Sequence, residues 1–205
     1  MSATDLVLTA FAIGMKRDEG LHRKWISISH KLGPVAGTVH TVSLQRIGRL
    51  DMLLRVLEDE RLERLKAGQS ANLDLSLDLQ LALSENWLFS SYEVARAAKK
   101  PFQANSNDAS RLISLERRLA LVRMPLAKGV IQGMDRNPHK QNPPMLASAG
   151  DNGPELYRDD GSYMMSHGIC AGTGSALWSP VDITKGETIA ICRRDLSDEM
   201  LALFD

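Results

Sequence analysis

Between Val42 and about Lys66, apolar residues recur at three- and four-residue intervals: Leu44, Ile47, Leu50, Leu54, Leu57 and, after a slip, Leu62 and Leu65. Arg46, Arg49, Arg55, Glu58, Asp59, Glu63 and Arg64 take the other faces, so the spacing predicts a long amphipathic helix. Asp51 with Arg55 and Glu60 with Arg64 are acid-first pairs four apart, the order that supports a helix. "AGQSAN" then closes the segment with glycine and cap-forming residues.

The next stretch changes rhythm. Leucine occupies every second position from Leu73 to Leu83, which is a strand period, yet leucine is a strong helix former and no β-branched residue follows until Val94. At 3.6 residues per turn, Leu77, Leu81, Leu88, Tyr92 and Ala95 form one stripe, widened by Leu79, Leu83 and Phe89. A helix is expected from about Asp74 to Ala98, with a short extended lead-in at 72–75, ending where "KKP" places cations before a proline. A third helix is expected from Asp108 or Ser110 to about Gly133, capped within "NDAS" and carrying Leu112, Leu115, Leu119, Val122 and Leu126, with Pro125 kinking or splitting it after Arg123.

The ends of the chain are less regular. A short helix around Asp5 to Met15 is expected, followed by "KWISISH", which mixes β-branched residues with serine, and "KLGPVAG", which breaks the chain. Beyond the helices, "DRNPHKQNPPMLASAGDNGPE" reads as a loop. "SYMMSHGIC", "GSALWSPV" and "ETIAICRR" are short runs between glycine turns, and "RDLSDEMLALF" is a short capped helix. The expected fold is therefore mainly α: an antiparallel helical bundle with a small C-terminal β-hairpin and short-helix element, α+β overall. Residues 1–135 form the bundle, 136–155 a Pro/Asn/Gly-rich loop, and 156–205 a small acidic part packed on the bundle.

Composition supports this reading. Of 205 residues, 43% are hydrophobic and 24% charged, as in a globular protein, while an aromatic share of 5% disfavours a β-sandwich. The formal charge is zero but unevenly laid out, with 21 basic against 15 acidic residues up to position 140 and 4 against 10 beyond it. The acidic tail is expected to dock on the basic helical part; the alternative is a basic face open to RNA or another polyanion. "LVLTAFAIGM" is too short to span a bilayer and lacks the basic start of a secretory signal, so a cytoplasmic protein with no membrane contact is expected. Its two cysteines would then be reduced thiols.

Three constellations carry candidate chemistry. Glu85, four residues after Leu81 and three before Leu88, falls on the apolar stripe, where a carboxylate must be paired or protonated; Arg46, Arg49 and Arg96 are its candidate partners. Arg23 and His30, seven apart in "RKWISISH", could hold a phosphate and move a proton respectively. Their Arg-x6-His spacing is similar to that of HEPN-type ribonucleases, and the resemblance implies a helical dimer that cleaves RNA without a metal; Glu85 could serve such a site as an orienting carboxylate. His167, Cys170 and Cys192, with His139 in the loop, have the ligand types of a zinc site but lack a second close-spaced pair, so packed thiols and no metal or other cofactor are expected.

"GICAGTGS" lacks the Lys-Ser/Thr ending of a phosphate-binding loop, and no nucleophile elbow, metalloprotease, kinase or dinucleotide motif is present. The leading expectation is a non-enzymatic helical interaction or regulatory module that associates with itself or with another protein. A metal-independent ribonuclease and an RNA or polyanion binder without catalysis are the alternatives.

Overall fold

The computed structural model describes residues 2–68, 74–105, 109–134, 143–146 and 153–204, with no side-chain description at 102–105 or 204. Within them the chain is mainly helical: α1 (Ala3–Arg17), α2 (Glu19–Ala36), α3 (Val39–Lys66), α4 (Leu75–Asn105), α5 (Ala109–Lys128) and α6 (Arg193–Leu201). Short strands occupy the C-terminal part: β1 (Met145–Leu146), β2 (Glu155–Leu156), β3 (Ser166–Ile169), β4 (Ala176–Ser179), β5 (Val181–Asp182), β6 (Glu187–Thr188) and β7 (Ile191–Cys192). The expected mainly α bundle with a small C-terminal β element is the observed architecture.

Local chemistry sets the N-terminal helices. Ser2 and Asp5 form a reciprocal capping box on α1, and the Asp18 carboxylate caps α2 by accepting from the Leu21 amide at 2.8 Å. Contrary to the sequence expectation, "KWISISH" and most of "KLGPVAG" belong to one continuous helix. Trp25, Ile28 and Leu32 recur on one face of it and are all buried, so core contact overrides the weak helix preference of the β-branched residues. Pro34 lies in the last turn, and Gly37 at φ +110° ends the run.

Prolines act differently from expectation elsewhere too. α4 continues across Pro101 to Asn105, and α5 runs through a buried Pro125 without being split. α5 ends at Lys128 and not at Gly133, because Gly129 turns the chain at φ +62° against the Gly161 carbonyl, where a Cβ would sit 2.0 Å from the oxygen.

α3 is the central element, with α1, α2 and α4 against it. Gly14 of α1 and Gly48 of α3 let the backbones close up: a Cβ on Gly14 would lie 2.9 Å from the Met52 backbone, and one on Gly48 2.7 Å from Trp25. One hydrophobic cluster joins Trp25, Leu44, Leu54, Trp87, Leu115 and Val122 of the helices to Trp178, Ile191, Leu196 and Met200 of the C-terminal part. A second, smaller cluster gathers Ile131, Met134 and Tyr157.

Strands β3, β4 and β7 form an antiparallel sheet in that order, with His167 opposite Trp178 and Leu177 opposite Cys192. β1 pairs with β2, and β5 with β6. α6 follows directly from β7, which places Arg193 and Arg194 where the sheet edge meets α3.

Candidate functional site

The buried seam of α3 continues without a slip, but through polar residues. Leu44, Ile47, Asp51, Leu54, Glu58 and Arg61 recur at alternating intervals of three and four, and all are buried. The seam of α4 is likewise Gln80, Ser84, Trp87, Ser91, Val94 and Ala98, one position round from the expected stripe, of which Leu88 and Ala95 are fully buried while Leu79 is exposed. The C-terminal end of α3 meets the N-terminal end of α4, where Arg61 donates to Gln80 Oε1 at 2.7 Å and to Asp74 at 2.7 Å. The polar halves of the two seams therefore coincide, and one end of the bundle core is built from charge.

Arg193 closes that end. Its guanidinium is fully buried and grips Glu58 with two parallel bonds, Nε to Oε1 at 2.6 Å and Nη2 to Oε2 at 2.9 Å, while Nη1 donates to Asp51 Oδ1. Asp51 Oδ2 accepts from Trp25 Nε1 and from Arg55 Nε, each at 2.9 Å. Glu58 also accepts from Ser175 Oγ at 2.7 Å and from Arg194 Nε at 2.8 Å. The Arg193 guanidinium carbon lies 5.3 Å from the centre of the Trp87 ring, a cation–π contact.

Burial alone would push the Asp51 carboxyl up, but the charges of Arg193 and Arg55 and their hydrogen bonds outweigh it and hold the group below the usual carboxylate value. For Arg193 burial acts to lower the pKa, and the Glu58 and Asp51 charges more than offset it, leaving it above the ordinary arginine value. Arg194 is raised in the same way by Glu58 and Asp59.

This arrangement fastens helices and strands together. Every oxygen of Asp51 and Glu58 accepts at least one hydrogen bond from the chain. The loop before β4 completes the fastening: Gly174, at φ +68°, presses on the Glu58 carbonyl so closely that a Cβ would lie 2.0 Å from its oxygen, and its own carbonyl accepts from Gln80 at 2.8 Å. A cleft of about 250 Å³ beside the network is lined by Arg17, Arg55 and Arg194 together with Asp18 and Asp59. Its cations are engaged within the chain, since Asp59 takes Arg194 at 2.7 Å and Arg17 at 3.3 Å.

Charges cross between the two parts of the chain in both directions. Asp198 pairs with Arg55, Glu199 with Arg118 and Asp182 with Arg117, which is the expected acidic tail on the basic bundle. The buried contacts reverse the signs, with arginines of the tail on carboxylates of α3.

The residues singled out from sequence lie apart from this network. Arg23 and His30 are both exposed on α2, two turns apart, and Arg23 is turned back onto Glu19, donating to its carbonyl at 3.2 Å with its carboxylate at 3.9 Å. Glu85 is half-buried on α4, and among the described residues no hydrogen bond or ion pair joins Arg23, His30 and Glu85. His167 is exposed on β3, while Cys170 and Cys192 approach the Thr173 hydroxyl. His139 lies outside the described residues, which hold no group of three His, Cys, Asp or Glu side chains able to bind a metal.

Asp51, Glu58 and Arg193 were not among the sequence candidates. The signal for the two acids was available in the three-and-four spacing that makes Glu85 a candidate, because both fall on the line from Leu44 through Ile47 to Leu54. No protein-family model, curated protein or solved structure matches this chain. No described helix is long and apolar enough to cross a membrane.

Proposed function

We propose that the protein is a non-enzymatic helical interaction module that associates with a second copy of itself through α1. The observation that carries this reading is the exposure of α1: Leu6, Val7, Leu8 and Ile13 are each more than half exposed, and Gly14 is the only buried residue of the helix. Apolar side chains concentrated on one element mark a contact surface better than the same residues scattered over a molecule. Asp5 and Lys16 are eleven residues apart, about three helical turns, and so lie on one side of α1 with opposite charges at its two ends. Two copies packed antiparallel would place each acid against the partner's base, the self-complementary pattern of a two-fold interface. The charged core supports the same reading, since its groups are used in holding the fold.

Sedimentation velocity over a range of concentrations tests the proposal. The chain should associate reversibly, and the double variant Leu6→Asp/Leu8→Asp should remain monomeric with an unchanged far-UV circular dichroism spectrum. A parent chain that stays monomeric at all concentrations would overturn it.

A second reading rests on Arg23 and His30, which share an exposed side of α2. Under it the chain is a metal-independent ribonuclease with Arg23 holding phosphate and His30 moving the proton. Incubation with mixed RNA in EDTA beside His30→Ala decides it: cleavage by the parent alone supports the enzyme. Salt-sensitive RNA binding without cleavage, indifferent to His30, would indicate polyanion binding instead.

A further inference from the structure

The turn between β3 and β4 brings together the two cysteines of the chain. Cys170 begins it, donating its amide to the Ser175 carbonyl at 2.8 Å and accepting at its own carbonyl from Gly174 at 2.8 Å and Thr173 at 3.3 Å. Thr173 sits between the sulfurs: its Oγ1 is 3.5 Å from Cys192 Sγ, and its hydroxyl also hydrogen-bonds the Cys170 thiol. The Gly172 and Thr173 amides and the Cys192 thiol also favour the Cys170 thiolate.

Cys170 is half-buried and Cys192 almost fully buried, so a small reagent meets Cys170 first. The Thr173 hydroxyl, more than burial, sets the direction at Cys170 and holds its thiol below the ordinary cysteine value. The turn is also held in place, because Gly174 and Ser175, its last residues, rest on Glu58.

We propose that Cys170 and Cys192 form a thiol–disulfide exchange site for low-molecular-weight disulfides, with Cys170 as the attacking thiol and Cys192 as the resolving one. In the first step the Cys170 thiolate attacks one sulfur of the small disulfide, a mixed disulfide forms at Cys170, and one small thiolate leaves. In the second, Cys192 gives up its proton, attacks the Cys170 sulfur and expels the other half of the reagent as thiolate. The chain thereby loses two electrons and two protons and gains one internal disulfide, while the small disulfide is reduced to two thiols.

The test uses the full chain, reduced and then exposed to oxidised glutathione, with intact-mass analysis and peptide mapping. The parent should lose two hydrogens and yield a Cys170–Cys192 crosslinked peptide. Cys192→Ser should stop at one glutathione on Cys170, and Cys170→Ser should not react on the same timescale. Should Cys192→Ser fail to fold, alkylation of the native parent by iodoacetamide gives a second reading: Cys170 modified first, and several-fold more slowly in Thr173→Val. Unreactive thiols in the native parent, glutathione retained on Cys170 of the parent with no crosslink, or Cys192 modified ahead of Cys170 would each overturn the proposal.

Discussion

Arg193 shows how much a single residue carries when it is buried among charges. Arg193→Ala leaves Asp51 and Glu58 buried without their shared cation, and it should cost about 3–5 kcal/mol in urea denaturation. A conservative Arg193→Lys change should recover only part of this, because an ammonium cannot make the two parallel bonds to Glu58. Asp51 adds a pH dependence of definite sign. Its folded pKa lies below the ordinary 3.8, so its contribution to stability is complete above that value and is lost as the pH falls through the folded pKa. Urea midpoints measured from about pH 5 down to about pH 2 should therefore fall less steeply in Asp51→Asn than in the parent. At this scale the sequence was partly legible: Asp51 was recognised as a partner of Arg55, and the structure contains that bond. What no local spacing could supply was Arg193, which is 142 residues from Asp51 and 135 from Glu58.

Among elements, α3, α4 and α5 were legible because their apolar spacing is strong, whereas α2 was not. Its serines, isoleucines and Pro34 speak locally against a helix, and only the shared burial of Trp25, Ile28 and Leu32 on neighbouring helices outvotes them. The leucines of α4 misled in part in the opposite direction: Leu88 is in the core as expected, but Leu79 is exposed, while Gln80 and Ser84 are buried. Hydrophobicity identifies the core face only where the core is apolar, and here one end of it is not. The packing of α2 on α3 gives a direct check, because Gly48 leaves no room for a methyl group against Trp25. Gly48→Ala should destabilise the chain by about 1–3 kcal/mol in thermal or urea melts, although alanine is the better helix former. α1 should behave in the opposite way: at protein concentrations too low for association, Leu8→Asp, at a position 63% exposed, should change the stability of the single chain by no more than about 0.5 kcal/mol.

For the whole molecule, the helical and C-terminal parts share one hydrophobic cluster and one charge network. They should therefore unfold together. Tryptophan fluorescence, with Trp25 and Trp87 in the helices and Trp178 in the sheet, should trace the same urea transition as far-UV circular dichroism. Removal of 166–205 should abolish that cooperative transition and not leave an independent bundle. The distance along the chain between α3 and Arg193 has a further consequence for biosynthesis. During vectorial synthesis the helices emerge first, yet Asp51 and Glu58 face an unmade partner until β7 and the start of α6 have followed them out. A nascent chain can thus collapse its apolar seams early, but it cannot seal the charged end of its core until Arg193 has followed, 135 residues after Glu58.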